Sequence, residues 1–442
     1  MRFLKSKGVV GWLLVGVVGV LGRGADSLGD DWPQWRGPKR DGVWRETGVV
    51  QKFSGKDLLI VWRAKGGGGY SGPTVANGRV YVMDRLTEPR QVERVLCFDA
   101  ETGRSIWKKE YACKYRDVSY ETGPRASVTI DEGRAYALGT MGHMHCLDAR
   151  TGEVIWKHDL NAEYRIQMPI WGISGAPLVE GDVLIVMIGG EDGACVVGFD
   201  KRTGKELWRG LDDQATYAAP IVLDQAGRRV VVVWTGEHIA GLDPTTGEVL
   251  WTHPYEHRRM IIAIATPVVH DDLLFFSGFF DGSLLLRLRQ DELGVEQVWL
   301  VKGADERHTK ALHSIISTPI ILDGFIYGIC SYGQLRCLDL KTGRRVWESN
   351  RVMPLARWAT AHLVPQGDKV WIFNERGDLI ISQLSPEGYK EISRAHLIDP
   401  TMGQLPRRGG VCWTHPAFAG RRVYVRNDET LVCADLSAKR SD

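Results

Sequence analysis

The stretch Leu147-Asp148-Ala149-Arg150-Thr151-Gly152-Glu153-Val154-Ile155-Trp156 decides the reading of this chain, because its frame returns four more times. Asp-x-x-Thr-Gly with Trp four residues after the glycine recurs at Asp99/Thr102/Gly103/Trp107, Asp200/Thr203/Gly204/Trp208, Asp243/Thr246/Gly247/Trp251 and Asp339/Thr342/Gly343/Trp347. Self-similarity at a period of roughly 40–50 residues marks an architecture in which each unit buries its apolar face against the next.

Around each copy the same signals follow in order. A strand opens near a proline or small residue, as in Gly72-Pro73-Thr74-Val75 or Ala219-Pro220-Ile221-Val222, and a turn such as Asn77-Gly78 or Asp323-Gly324 follows. An alternating strand comes next, then a third strand ending at the Asp, then the Thr-Gly turn and a fourth strand carrying the Trp. The Asp and Thr side chains suit a tight turn because they can hold its amides, and glycine accepts positive φ without steric cost. Four strands with short hairpins make a blade, and strand starts near Pro73, Ser127, Pro177, Pro220, Pro267, Pro319, Thr360 and Pro416 number eight.

The expected fold is therefore all-β, an eight-bladed β-propeller of four-stranded antiparallel blades. The fifth unit is degenerate, keeping Gly294 and Trp299, and the seventh puts Ile392 where a Trp is expected. The eighth lacks an outer strand, which Leu59-Ile60-Val61-Trp62 can supply, so pairing of the N- and C-terminal segments closes the ring and removes sheet edges. Trp62, Trp107, Trp156, Trp208, Trp251, Trp299 and Trp347 then form a girdle between neighbouring blades, each ring worth about 2–3 kcal/mol on burial.

Three regions follow: 1–24 as an export signal, 25–57 as an extension packing on the propeller, and 58–442 as the propeller. Arg2, Lys5 and Lys7 precede an apolar run from Val9 to Leu21 that is short for a membrane span. An uncleaved anchor is the alternative reading. Location in the periplasm or envelope follows, with no stable transmembrane domain in the mature chain. Eight cysteines would suggest disulfides in an exported protein, yet Cys97, Cys146, Cys337 and Cys433 occupy the slot that Gly198 and Gly241 fill elsewhere. They read as compact buried hydrophobes. A formal net charge of +2 gives no footing for wholesale nucleic-acid binding.

The Leu-Asp-x-x-Thr-Gly-x-x-x-Trp units resemble the repeats of pyrroloquinoline-quinone-type β-propellers. That superfamily includes quinoprotein alcohol dehydrogenases and the propeller lipoprotein of the outer-membrane barrel-assembly machinery. Trp32-Pro33-Gln34-Trp35-Arg36-Gly37-Pro38, Arg40-Asp41-Gly42, Gly123-Pro124-Arg125-Ala126 and Arg426-Asn427 resemble a widespread group of exported bacterial quinone-binding-like propellers, mostly without assigned activity. The resemblance implies the fold. For chemistry it implies a face over the channel that in the dehydrogenases holds pyrroloquinoline quinone, a calcium ion and an Asp base.

Loops between blades belong to that face, and they supply Arg125, Glu121, Trp171, Tyr217, Arg357, Trp358, Arg408 and Trp413 as candidates for binding a ligand or partner. Arg125, directly after Gly-Pro, either clamps a carboxylate or bonds a neighbour's carbonyls. His143 and His145 share one face of a strand, but a second pair of metal ligands is not evident, so no metal site is assigned. The Gly66–Gly69 run reads as a flexible turn. No catalytic residue is assignable by motif. The leading expectation is an exported non-catalytic scaffold that binds a protein, peptide or glycan on its top face. The alternatives are an alcohol or sugar dehydrogenase dependent on pyrroloquinoline quinone with calcium, and an outer-membrane protein assembly factor.

Overall fold

The computed structural model describes Met1 and residues 30–55 and 58–438; apart from Met1, the segment read as an export signal lies outside them. Eight separate four-stranded antiparallel sheets are present among the described residues. Blade 1 comprises Thr74–Ala76, Arg79–Leu86, Val92–Asp99 and Ser105–Ala112, and blades 2 to 7 repeat that order along the chain to His396. Blade 8 is built from Ala417–Ala419, Arg422–Arg426 and Thr430–Asp435, with Ile60–Lys65 as its outer strand. Trp62 pairs with Cys433 and Arg63 with Val432, so the two ends of the chain close the ring as expected.

The repeat motif acts both within a blade and between blades. Within a turn, Asp99 Oδ1 accepts from the Glu101 and Thr102 amides and from the Thr102 hydroxyl, and Asp148 and Asp200 repeat the pattern. Those donors hold all three carboxyls below the usual range. Between blades, five of the seven indole N–H groups donate to the carbonyl that follows the next blade's Asp. Trp62 reaches Ala100 (2.9 Å), Trp107 Ala149 (3.1 Å), Trp156 Lys201 (3.2 Å), Trp208 Pro244 (3.1 Å) and Trp299 Leu340 (2.9 Å).

The same rings lie on the motif glycines. A Cβ on Gly103 would come within 2.5 Å of Trp62, and one on Gly247 within 2.5 Å of Trp208. Glycine is thus demanded by the neighbouring blade as well as by its own positive φ.

Opposite the Trp of each strict repeat, on the third strand, is the slot read as small: Cys97 faces Trp107, Cys146 faces Trp156, Cys337 faces Trp347, and Gly198 and Gly241 face Trp208 and Trp251, whereas in the degenerate blade 5 Leu285 faces Trp299. All eight cysteines are buried and free.

Two blades depart from the pattern, and each departure is compensated. Blade 5 lacks the Asp-x-x-Thr-Gly turn, so the Trp251 indole instead donates to Gln225 Oε1 at 2.8 Å. The amide of Gln225 passes the connection on to the carbonyls of Gly294 and Arg289. In blade 7 the residue at the Trp position is Ser393, not Ile392. Ile381 pairs with Ser393 and Ser382 with Glu391, which leaves Ile392 in the bulge between them. The same bulge precedes the Trp in the other blades, as at Ile106 between Ser105 and Trp107, so the slot moves because Ser393 stands five residues after Gly388 whereas Trp107 stands four after Gly103. The wedge between blades 7 and 8 is filled by Trp371 together with Trp44 and Phe53 from the N-terminal segment. The Phe53 amide donates to Ser393 Oγ at 3.0 Å.

That segment, residues 30–55, crosses the channel from the side of the first-to-second-strand hairpins. Its backbone pairs Trp32 with Val75 of blade 1, accepts from Ile130 of blade 2 at Pro33, and reaches Pro365 of blade 7 from Trp44. Arg40, buried, donates to the Ala176 and Pro177 carbonyls entering blade 3. The Trp35 indole donates to Thr266 Oγ1 at 2.8 Å, just before blade 5. The glycine run is likewise packed rather than loose. Gly67 donates to Asp84 Oδ2 at 2.6 Å, and a Cβ on Gly68 would lie 2.6 Å from the Thr122 carbonyl. Among the described residues no helix is long and apolar enough to cross a membrane.

Candidate functional site at the channel mouth

With its lower end crossed by the N-terminal segment, the channel remains as a cavity at the mouth where the inter-blade loops meet. Its volume is about 140 Å³. Trp35 forms part of the floor with His362 and His415, and the walls are Tyr70, Tyr120, Trp171, Tyr217, Trp358, Trp413, Ile264, Ile315 and Ile316. The aromatic walls support one another: Trp171 lies 5.1 Å from Tyr217, and Tyr120 stands edge-on to both Trp171 (6.0 Å) and Trp358 (5.9 Å). Tilted and edge-to-face rings of this kind hold each other's orientation.

Five of the eight candidate residues line this cavity: Arg125, Trp171, Tyr217, Trp358 and Trp413. The Arg125 guanidinium donates to the carbonyls of Ser119, Tyr120 and Gly123 and lies over the Tyr70 ring at 5.0 Å. It therefore fixes the loop that presents Tyr120.

The other three stand behind or beside the wall. Arg357 lies 4.8 Å over Trp358 and pairs with Glu306 at 3.2 Å. Arg408 pairs with the buried Glu375, whose Oε2 also accepts from the Trp413 indole at 3.0 Å and the Thr360 amide at 3.2 Å. Burial pushes the Glu375 carboxyl up, against the pull of Arg408. Glu121 is exposed, and its backbone carbonyl accepts from Arg85.

Sequence reasoning missed Trp35, Tyr70, Tyr120 and the three isoleucines as cavity residues. Trp35 belongs to the extension, and nothing local in the chain says that the extension reaches the mouth. Elsewhere, His145 stacks on Tyr111 at 4.4 Å and burial holds it down to about 4, while His143 Nδ1 sits 3.8 Å from Cys113 Sγ. Neither lines the cavity. Among the described residues no group of three His, Cys, Asp or Glu side chains converges as a metal site.

The cavity wall offers one guanidinium, two imidazoles, two serine and three tyrosine hydroxyls and no carboxylate. A calcium ion takes six to eight oxygen ligands, with carboxylates prominent. This donor set does not fit calcium-bound pyrroloquinoline quinone, and no reaction step is derived through that cofactor.

Fold and site together define a β-propeller of pyrroloquinoline-quinone-type repeats, plugged at one end and carrying an aromatic cavity at the other. The family described as outer membrane protein assembly factor BamB matches residues 91–349, from the third strand of blade 1 to the end of blade 6. The chain belongs to that family, whose members are exported proteins of the cell envelope.

Among curated relatives, outer membrane protein assembly factor BamB of Shewanella oneidensis is 22% identical over 265 residues, covering 54% of this chain and 66% of the relative. The first three relatives are matched over only 66%, 43% and 40% of their own length. Among solved structures, BamB from Moraxella catarrhalis is similar with a TM-score of 0.58 and 18% identity, covering 85% of this chain and 99% of that one. A europium-containing methanol dehydrogenase is similar with a TM-score of 0.67 and 14% identity, covering 90% and 89%. At such identities the structures speak for the fold alone.

Proposed function

We propose that this chain is a non-catalytic envelope scaffold in outer-membrane protein assembly, and that it docks a protein partner at the channel mouth. The observation that carries this reading is the wall of the cavity, where aromatic and isoleucine side chains converge and no metal-binding carboxylate is present. Aromatic clusters around a small concavity are what protein hot spots look like, because a side chain inserted there loses water on all sides. The loops around it add exposed apolar residues: Ile170, Met260, Leu355 and Met402 are 40–51% exposed. Apolar surface gathered at one end of a molecule marks an interaction site. Family membership supplies the process, and the mouth supplies the place.

The test is capture of envelope proteins on the immobilised chain, comparing the natural protein with Trp358→Ala and Ile316→Asp. Both changes are expected to reduce the specific partner at least tenfold, while a change on the opposite face, Asn77→Asp, leaves it unaltered. Equal capture by all four proteins would remove the mouth from consideration.

A further inference from the structure

The floor of the cavity carries a hydrogen-bond signature that narrows what can enter. His415 Nδ1 lies 2.6 Å from the Pro416 carbonyl, and His362 Nε2 lies 2.9 Å from the Trp413 carbonyl. A carbonyl only accepts, so each of those nitrogens carries the ring proton and the other nitrogen presents a bare lone pair. Among the described residues neither His415 Nε2 nor His362 Nδ1 has a hydrogen-bond partner, and both rings line the cavity. The two rings sit 4.8 Å apart.

We infer that the cavity receives a tyrosine side chain of the protein partner, with the phenol ring between the aromatic walls and its O–H donating to the imidazole floor. This rests on the reading of the mouth as a protein-docking site. Three features support it. The volume of about 140 Å³ is close to that of a cavity of about 150 Å³ that takes up one benzene ring, so a single six-membered ring fits and an indole is crowded. The floor supplies acceptors, so an occupant with a donor at its tip gains a bond that phenylalanine or leucine cannot make. Burial also holds the His362 imidazole down to about 4 and keeps His415 well below its usual range, so both rings stay neutral acceptors at neutral pH.

A sugar ring also carries hydroxyls, but it carries several. Those that face Ile264, Ile315 or Ile316 would lack a partner, and a buried unpaired hydroxyl is costly.

The experiment is a ligand-observed titration of the intact protein at pH 7.5 with p-cresol, toluene and methyl β-glucopyranoside, which stand for tyrosine, phenylalanine and a glycan unit. The expected result is p-cresol binding roughly five- to tenfold tighter than toluene, as one hydrogen bond to a neutral acceptor provides, with the glucoside weakest. In His415→Phe and His362→Phe, shown to be folded by their thermal transitions, the preference for p-cresol falls toward unity while toluene still binds. Should neither variant fold, the selectivity of the natural protein decides alone.

Equal binding of p-cresol and toluene overturns the tyrosine assignment, while partner capture through Trp358 would still stand. Tightest binding of the glucoside overturns it in favour of a glycan. If no probe binds and partner capture is insensitive to Trp358→Ala, both readings fall together.

Discussion

The Trp413 indole N–H donates to Glu375 Oε2 at 3.0 Å, so a carboxylate buried behind the cavity sets the tilt of one of its walls. The same oxygen accepts from the Thr360 amide, and Arg408 stands 3.3 Å from the other. Removing Glu375 therefore releases three donors at once. Glu375→Ala is expected to cost about 3–5 kcal/mol, the range for breaking a buried ion pair by deleting one partner. It should also shift the tryptophan emission and weaken partner capture. Urea unfolding and fluorescence check the first two, and an unchanged midpoint would contradict the assigned role.

The girdle predicts an asymmetry between two glycines with nearly the same backbone. Gly247 (φ +74) and Gly227 (φ +73) both sit in turns, but a Cβ on Gly247 would meet Trp208 at 2.5 Å, whereas one on Gly227 meets nothing within 4 Å. Backbone strain is common to both, so Gly247→Ala should be less stable than Gly227→Ala by about 1–3 kcal/mol of overpacking. Paired thermal or urea melts measure the difference. Equal losses would mean that the ring moves aside without cost.

Blade 7 has no girdle tryptophan, and Trp44 fills the wedge against Trp371 (5.2 Å) and Phe418 (4.8 Å). Trp44→Ala is expected to destabilise the whole ring by about 3–5 kcal/mol, as large-to-small changes in a core do. Chemical unfolding followed by near-ultraviolet circular dichroism reports it. A loss under about 1 kcal/mol would show that the N-terminal segment merely rests on the propeller.

Five histidines make the protein acid-sensitive. His145, His313 and His362 are held down to about 4, and His253 and His415 are also lowered, all mainly by burial. Their folded values lie below the usual 6.5, so the folded state binds fewer protons than the unfolded chain between those limits. Stability is therefore full above pH 6.5 and declines as pH falls toward 4, by up to roughly 2 kcal/mol at pH 5 for each of the three held near 4. The raised carboxyls of Asp31, Glu237 and Glu375 act in the opposite sense and reduce the net slope. Urea midpoints at pH 7 and pH 5 test the sign, and a midpoint that rises on acidification would contradict it.

How far the chain could be read from its letters depended on whether a signal was local. Asp148, Thr151, Gly152 and Trp156 declare a turn and its following strand within ten residues, and the orphan strand at Trp62 finds Cys433 because only one blade lacks an edge. The seventh blade was misplaced by one residue at Ile392, since one more residue separates Gly388 from the slot at Ser393 and nothing in composition marks it.

At the mouth, Trp171, Tyr217, Trp358 and Trp413 could be nominated because inter-blade loops share a face in any propeller. Trp35 could not, because its place under the cavity depends on a segment that threads the ring, and Tyr120 is placed by the bonds of Arg125 rather than by its neighbours in sequence. The guanidinium of Arg125, open to two roles on sequence, is occupied by three carbonyls.

The central claim, that a protein partner docks at the channel mouth, is tested most directly by site-specific photo-crosslinking in intact cells. A photoreactive residue is placed at Leu355, beside Trp358, and in a second strain at Asn77 on the opposite face. The expected result is one discrete crosslinked protein from Leu355, absent from Asn77 and abolished by Trp358→Ala in the same chain. A crosslink from Asn77 with none from Leu355 would place the docking surface on the other end of the propeller and contradict the account.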